Sequence, residues 1–168
     1  MPRVTRRRRV AAAPGEIWAI VSDPYHLPRW WPRTQRVENV SEGGGAKGRK
    51  WTQVLETRDG RAIRADYRCT AASTGKHYAY EQLLDGTPFE GFLESARTEI
   101  RLDPESGGAA RETRVTLESD QRLRGLSRLG GFMMRRATGR TLSEALGGLE
   151  RIVAGGGQDA AGSAEAAG

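Results

Sequence analysis

The hydrophobic pattern of the chain changes its period once, near Arg124. Upstream of this point, apolar residues recur at every second position in several segments, which predicts half-buried β-strands. Downstream, they recur at steps of three and four, which predicts one long amphipathic helix. The predicted stripe of that helix is Leu126, Leu129, Met133, Ala137, Leu142, Leu146, Leu149 and Val153. Strands followed by one terminal helix favour an α+β fold in which the sheet bends around the helix.

About seven strands are expected, six of them in succession. The segments are residues 3–11, 34–42, 48–57, 60–72, 76–84, 92–102 and 111–119. Their connections are rich in Gly and Asp, which tolerate the positive φ of tight turns. We therefore expect an antiparallel meander.

Prolines mark a helical corner between the first predicted strand and the other six. Pro14 suits the first position of a helix, and Asp23 followed by Pro24 repeats that start signal with Asp23 as the N-cap. Pro28 and Pro32 keep the second helix short. The sequence predicts two small helices joined at a corner.

Two segments resemble those of a known family. The first, IWAIVSDPYHLPRWWP, resembles the N-terminal signature of the START-like (helix-grip, SRPBCC) superfamily through Trp18, Val21, Asp23, Pro24, Leu27, Trp30 and Trp31. The second, LGGFMMRRATGRTLSEALGGLERIV, is similar to the final helix of its polyketide cyclase/dehydrase and lipid-transport group. The resemblance covers about residues 3–154.

This resemblance implies a helix-grip fold: a curved antiparallel sheet of about seven strands around a long C-terminal helix, with two short helices after the first strand. It also implies an elongated cavity between sheet and helix. Members of the superfamily bind lipids, sterols, polyketides, plant hormones or isoprenoid quinones, and some cyclise or hydrolyse what they bind.

The chain is expected to hold one such domain over residues 1–154 and a disordered Gly/Ala-rich tail over residues 155–168, since the tail lacks large apolar residues. No apolar run approaches the roughly 20 residues that cross a bilayer, and the basic start is not followed by a cleavable apolar segment. We predict a cytoplasmic protein without stable membrane insertion. Cys69, the single cysteine, excludes an internal disulfide, and no metal or cofactor is expected.

A net charge of +6 raises the question of nucleic acid as a partner. The basic residues are scattered along the chain and interleaved with Asp and Glu, which argues against such a partner. An RNA- or ribosome-associated role stays open as a third hypothesis, and it predicts a contiguous arginine face.

The segment DPYHLPRWWP has two interpretations. In the first it is a joint, in which Trp18 and Trp30 pack the short helices onto the sheet edge. In the second, Trp31 and Leu27 form a mobile rim over the cavity mouth. His26 is interpreted as a solvated loop residue.

Side chains alternate between the two faces of a strand, and this alternation places some polar residues on the same face as the apolar ones. Glu94 shares parity with Phe92, and Arg6 and Arg8 share parity with valines of the first strand. Because a buried charge is costly unless paired, Glu94 with Arg8 or Arg6 could hold a polar head group. The alternative is that Glu94 points to water. The predicted ligand-binding residues are Arg8, Trp31, Trp51, Tyr67, Tyr78, Tyr80, Phe92, Glu94 and Met133.

Catalytic motifs are missing from the sequence: there is no Gly-x-Ser-x-Gly elbow, Cys/His pair or phosphate-binding glycine loop. Glu94 or a tyrosine could act as an acid or base on an enolisable chain. The leading hypothesis is binding or carriage of a hydrophobic small molecule (lipid, polyketide or isoprenoid-like). A polyketide aromatase/cyclase is the enzyme alternative. Ligand identity and oligomeric state stay open.

Overall fold

The computed structural model of the chain describes residues 3–42, 44–105, 111–125 and 128–165. Within these ranges the strands are β1 (Arg3–Val10), β2 (Thr34–Glu38), β3 (Lys50–Glu56), β4 (Ala62–Ser73), β5 (His77–Leu83), β6 (Leu93–Pro104) and β7 (Thr113–Leu123). The α-helices of the described part are α1 (Pro14–Val21), α2 (Leu27–Trp30) and α3 (Arg128–Glu165), and a 3₁₀ turn over Pro24–His26 joins α1 to α2.

All strand pairings in the described chain are antiparallel, in the order β1-β7-β6-β5-β4-β3-β2. Strands β2 to β7 form the predicted meander, and β1 returns to pair with β7, with Val4 opposite Ser119 and Val10 opposite Thr113. The curved sheet and the long C-terminal helix confirm the predicted helix-grip architecture.

The core lies between α3 and the inner face of the sheet. Leu142, Leu146 and Leu149 of α3 are each at most 1% exposed, and they belong to the same buried cluster as Val10 and Val115 of the sheet. Burial of a leucine side chain contributes about 1.5–3 kcal/mol, so this stripe fixes the helix on the sheet.

Glycines in α3 allow close approach of neighbouring groups. A Cβ atom on Gly148 would lie 2.8 Å from the Cα of Trp30, so α2 and α3 meet backbone to backbone. Gly139 similarly lies beneath the guanidinium of Arg6. Tertiary packing therefore accounts for glycines that lower the intrinsic helix propensity.

The helical corner is held by capping and by two tryptophans. The Asp23 side chain accepts a hydrogen bond from the Tyr25 N–H at 3.0 Å, as the N-cap prediction required. Trp30 is 3% exposed in the core, and the Trp18 ring meets Tyr78 edge-on at 5.9 Å. The segment is therefore a joint, as the first interpretation predicted.

Two details of the corner differ from the sequence interpretation. Leu27 belongs to the buried core and does not form a rim. His26 is half-buried and has partners: its Nδ1 lies 3.1 Å from Arg29 Nη1, and its Nε2 lies 3.7 Å from Asp23 Oδ2. The turn brings the side chains of Asp23, His26 and Arg29 together, although the sequence pattern does not predict these contacts.

The outer face of the sheet carries acids between its arginines. Glu99 lies 3.0 Å from Arg97 and 2.9 Å from Arg101, and Glu38 lies 2.7 Å from Arg36 and 3.2 Å from Arg64. Charge on this face is therefore alternating. Nucleic-acid binding stays an untested prediction.

The backbone of α3 is helical through Glu165, and residues 166–168 lie outside the described ranges. The expected disorder of residues 155–168 stays a prediction. In the described part of the chain, no helix combines the length and the apolar character that a membrane crossing requires.

Candidate ligand-binding site

A partly open cavity of about 450 Å³ lies between the inner face of the sheet and the N-terminal half of α3. Its lining from the sheet is Gln53, Tyr67, Tyr80, Gln82, Ala96, Arg97, Thr98, Ser119 and Gln121. Its lining from α3 is Met134, Ala137, Thr138, Thr141 and Leu142, and the connecting segments add Trp31, Arg33 and Phe89. Much of this surface consists of amides and hydroxyls.

Aromatic rings on three adjacent strands build one wall. Tyr80 meets Tyr67 edge-on at 5.6 Å and Trp51 at 5.4 Å, and Trp51 stacks on Tyr67 at 5.9 Å. Tyr67 and Tyr80 line the cavity, as predicted. Trp51 and Tyr78 do not: each is 2% exposed and packs behind those two rings in the core. They fix the wall without forming its surface.

Three residues lining the cavity carry buried polar atoms without a hydrogen-bond partner in the described structure. These atoms are the Tyr80 hydroxyl, Gln82 Nε2 and Gln121 Oε1. A buried polar group left unpaired costs about 1–3 kcal/mol, so native proteins seldom retain several together without a use. The cavity thus combines donors and an acceptor that a bound molecule could satisfy.

The tyrosines of the wall are held in their protonated form. Burial raises the pKa of Tyr80, and the nearby Tyr67 and Tyr78 rings add to the shift. Burial, aided by the Asp66 charge, also raises the pKa of Tyr67. At neutral pH both phenols are therefore protonated, so each can donate a hydrogen bond and neither is a base.

A β-bulge decides between the two interpretations of Glu94, which points to water, and contradicts the prediction that Phe92 faces the cavity. The β6–β7 register shifts between Leu93, opposite Leu123, and Ser95, opposite Arg122. The extra residue reverses the alternation at the start of β6. Leu93 is consequently buried, whereas Glu94 is exposed and Phe92 is 45% exposed. Glu94 is therefore unavailable as a head-group ligand or catalytic acid in this cavity.

The prediction for Met133 is also wrong, because Met133 is 63% exposed and its neighbour Met134 lines the cavity. Nine residues separate Met133 from the buried Leu142. At 3.6 residues per turn this is two and a half turns, which places Met133 on the opposite side of the helix.

Arg8 faces α3, as its parity with the valines of β1 predicted, but its partner is not Glu94. Its Nη1 lies 3.0 Å from Glu150 Oε2 of the helix. Arg8 is outside the cavity and forms part of a separate groove described below.

The connecting segments contribute Trp31, Arg33 and Phe89 to the cavity lining. These three residues also line an adjoining recess of about 460 Å³ beside β3 and α3. Trp31 is half-buried, and its role in a mobile rim stays a prediction. Sequence reasoning missed Arg33 and Phe89, because they lie in connections without a hydrophobic period. It also missed Gln121, which lies two residues beyond Ser119 and so on the same strand face as Leu117 and Ser119.

Groups for metal binding or nucleophilic chemistry are sparse in the described structure. No cluster of three or more His, Cys, Asp or Glu side chains occurs there that could hold a metal ion. Cys69 is buried, burial raises the pKa of its thiol, and its Sγ lies 3.5 Å from the Ala71 carbonyl oxygen. A thiol of this kind is a packing group.

The curved sheet around a long C-terminal helix defines a protein with the helix-grip fold. The family described as polyketide cyclase/dehydrase and lipid transport matches residues 1–154, and the chain belongs to this family. No curated protein matches the sequence of this chain.

Solved structures share the architecture at low sequence identity. A START superfamily protein from Mycobacterium smegmatis is 18% identical with a TM-score of 0.67, over 90% of this chain and 96% of that one. XoxI from Bacillus cereus is 16% identical with a TM-score of 0.67, over 91% and 96%. The di-domain aromatase/cyclase BexL of the BE-7585A biosynthetic pathway is 20% identical with a TM-score of 0.71, over 90% of this chain and 46% of that one. At these identities the likeness shows the fold alone.

Proposed function

We propose that the chain binds and carries a small molecule that has an apolar or aromatic body and a few neutral polar groups. The ligand occupies the cavity between the sheet and the N-terminal half of α3. The observation that carries this proposal is the set of three unpaired polar atoms, on Tyr80, Gln82 and Gln121, among the residues lining the cavity.

Size and polarity support the same ligand class. The cavity volume of about 450 Å³ falls within the range of about 300 to 1,000 Å³ that is usual for small-molecule sites. The Tyr80 hydroxyl and Gln82 Nε2 can donate hydrogen bonds, and Gln121 Oε1 can accept one. A molecule with carbonyl and hydroxyl groups on a flat apolar frame meets these requirements better than a plain hydrocarbon chain.

Carriage is favoured over catalysis because the exposed Glu94 supplies no acid or base to the cavity. The cyclase alternative now depends on the protonated Tyr80, which could donate a hydrogen bond to a carbonyl oxygen as an enolate forms. The family description and the fold shared with BexL support keeping this second candidate. It requires that Tyr80→Phe abolish turnover of a substrate that the variant still binds.

The test is a fluorescence titration with the neutral probe N-phenyl-1-naphthylamine. Wild-type protein should show saturable binding, and Thr138→Phe, which fills the cavity, should weaken it strongly. Met133→Phe is the matched control, because Met133 is 63% exposed and is not among the residues that line the cavity. Equal binding by the two variants would contradict the proposal.

Native mass spectrometry of the purified protein complements the titration. A co-purifying small molecule should be present in wild-type protein and reduced in Thr138→Phe. A molecule retained equally by Thr138→Phe would be bound elsewhere.

A further inference from the structure

A second concave surface lies between α2 and α3, separate from the ligand cavity. Its volume is about 680 Å³. We call it the arginine groove after the arginines that line it: Arg8, Arg29, Arg33, Arg140 and Arg151. Glu144 supplies the one carboxylate among its lining residues.

Two of these arginines are partly engaged. Arg8 forms the ion pair with Glu150, and the Arg29 guanidinium lies 3.1 Å from the His26 ring. In the described structure no ion pair is recorded for Arg33, Arg140 or Arg151. Like charges crowded in one recess repel one another, so three guanidiniums without acidic partners favour an anion between them.

We propose that the arginine groove binds the phosphate group of an anionic ligand. A guanidinium presents its N–H groups as a planar fork that matches two phosphate oxygens, and several forks in one concavity can surround the group. This arrangement differs from the outer face of the sheet, where acids such as Glu99 neutralise their arginine neighbours.

The position of the groove suggests how the phosphate is attached. Trp31 and Arg33 line both the groove and the ligand cavity. A phosphate ester with its apolar body in the cavity can therefore place its phosphate in the groove. This second step rests on the proposed function of the cavity, whereas the anion site itself does not.

The experiment is calorimetric titration with inorganic phosphate, octyl phosphate and octanol at low salt. The test variant is Arg140→Gln/Arg151→Gln, which removes two groove charges from exposed positions of α3. The matched control is Arg7→Gln/Arg122→Gln: it removes the same charge from two exposed residues outside the groove. Phosphate affinity should fall by about tenfold or more in the test variant and by less than about twofold in the control.

Comparison of the three ligands distinguishes free phosphate from a phosphate ester as the occupant of the groove. Tighter binding of octyl phosphate than of phosphate or octanol, lost in Thr138→Phe, supports one ligand that spans groove and cavity. If octyl phosphate binds no more tightly than phosphate, the proposal of a ligand that spans groove and cavity is overturned, and the groove is assigned to free phosphate. Absent phosphate binding, or equal weakening in both double variants, overturns the groove proposal.

The neutral probe keeps this result distinct from the proposed function. Arg140→Gln/Arg151→Gln should bind N-phenyl-1-naphthylamine as wild-type protein does. Loss of phosphate binding with retained probe binding is the expected pattern, whereas failure of the probe to bind wild-type protein would contradict the cavity proposal alone.

Discussion

Within α3, the two halves of residues 131–150 contact the same sheet in different ways. In the C-terminal half, Leu146 and Leu149 are at most 1% exposed, and Gly148 brings the helix against the backbone of α2. In the N-terminal half, Met134 and Thr138 border a cavity. One half is buried against the sheet, and the other borders a cavity between helix and sheet.

The difference shows how one helix can serve both stability and binding. The anchored half orders the helix through burial and close backbone contact. The other half can then leave a cavity without losing its position. Variants in the anchored half should mainly change the free energy of unfolding, and variants in the cavity half should mainly change ligand affinity.

The largest expected effect is at Leu146. Leu146→Ala should lower the free energy of unfolding by about 2–5 kcal/mol, because it creates a cavity in the packed half. Urea denaturation of the variant measures this. Met133→Ala, on the exposed side of the cavity half, is the control and should change stability by less than about 0.5 kcal/mol. Similar losses at the two positions would break the comparison between the halves.

Gly148→Ala should cost about 1–3 kcal/mol, since the added methyl group meets the Trp30 backbone and must force α2 away from α3. Gly131 provides the matched control, because nothing lies within 4 Å of a Cβ built there. Gly131→Ala should raise the free energy of unfolding by up to about 1 kcal/mol through helix propensity. Thermal denaturation should move the two midpoints in opposite directions, and a stabilising Gly148→Ala would refute the close contact.

Tyr80→Phe should separate binding from stability. The buried hydroxyl has no hydrogen-bond partner in the described structure, so its removal should change the free energy of unfolding by less than about 1 kcal/mol or increase it. Ligand affinity should nevertheless fall, because the variant cannot donate to the ligand. Parallel denaturation and titration check this, and a large loss of stability would show that the hydroxyl is a structural group.

The smallest expected effect lies on the outer face of the sheet, remote from both halves of α3. Burial of Glu99 opposes its ionisation, but Arg97, His77 and Arg101 outweigh burial and lower its pKa below the ordinary 4.5. A lowered folded-state pKa stabilises the protein above pH 4.5, and this contribution is lost as the pH falls through the lowered value.

Glu99→Gln should therefore cost less than about 1 kcal/mol at pH 7, and the difference from wild type should shrink under acid conditions. Glu94→Gln, at an exposed position near the bulge of the same strand, is the control. Denaturation midpoints at pH 7 and pH 3 check the sign. A Glu99→Gln deficit that grows under acid conditions would contradict the assigned ion pairs.

Much of the fold follows from the two hydrophobic periods, and part of the site follows from strand parity. Alternation placed Tyr67 and Tyr80 on the inner face correctly, because the bulge in the β4–β5 ladder, between Cys69 and Ala71, lies beyond Tyr67 and adds its extra residue to β4 and not to β5. It failed at Glu94 because a bulge adds one residue without any mark in the sequence. It also failed at Met133, where two adjacent methionines differ only in the phase of the helix.

Other contacts depend on residues far apart in the chain. Arg8 meets Glu150, and the arginine groove combines β1, α2 and α3. No local pattern encodes such pairs, because they form only when α3 docks beside β1.

The most direct test of the account uses the methionine methyl groups. The chain has three methionines, and Met133 and Met134 are adjacent but lie on different sides of the helix. The protein is labelled at the methionine methyl groups, and the signals in its methyl NMR spectrum are assigned with the Met133→Leu variant. On addition of N-phenyl-1-naphthylamine, the Met134 signal should shift and show NOEs to the ligand. The Met133 signal should stay in place. A shift and NOEs at Met133, with Met134 unchanged, would contradict a ligand site between the sheet and the helix.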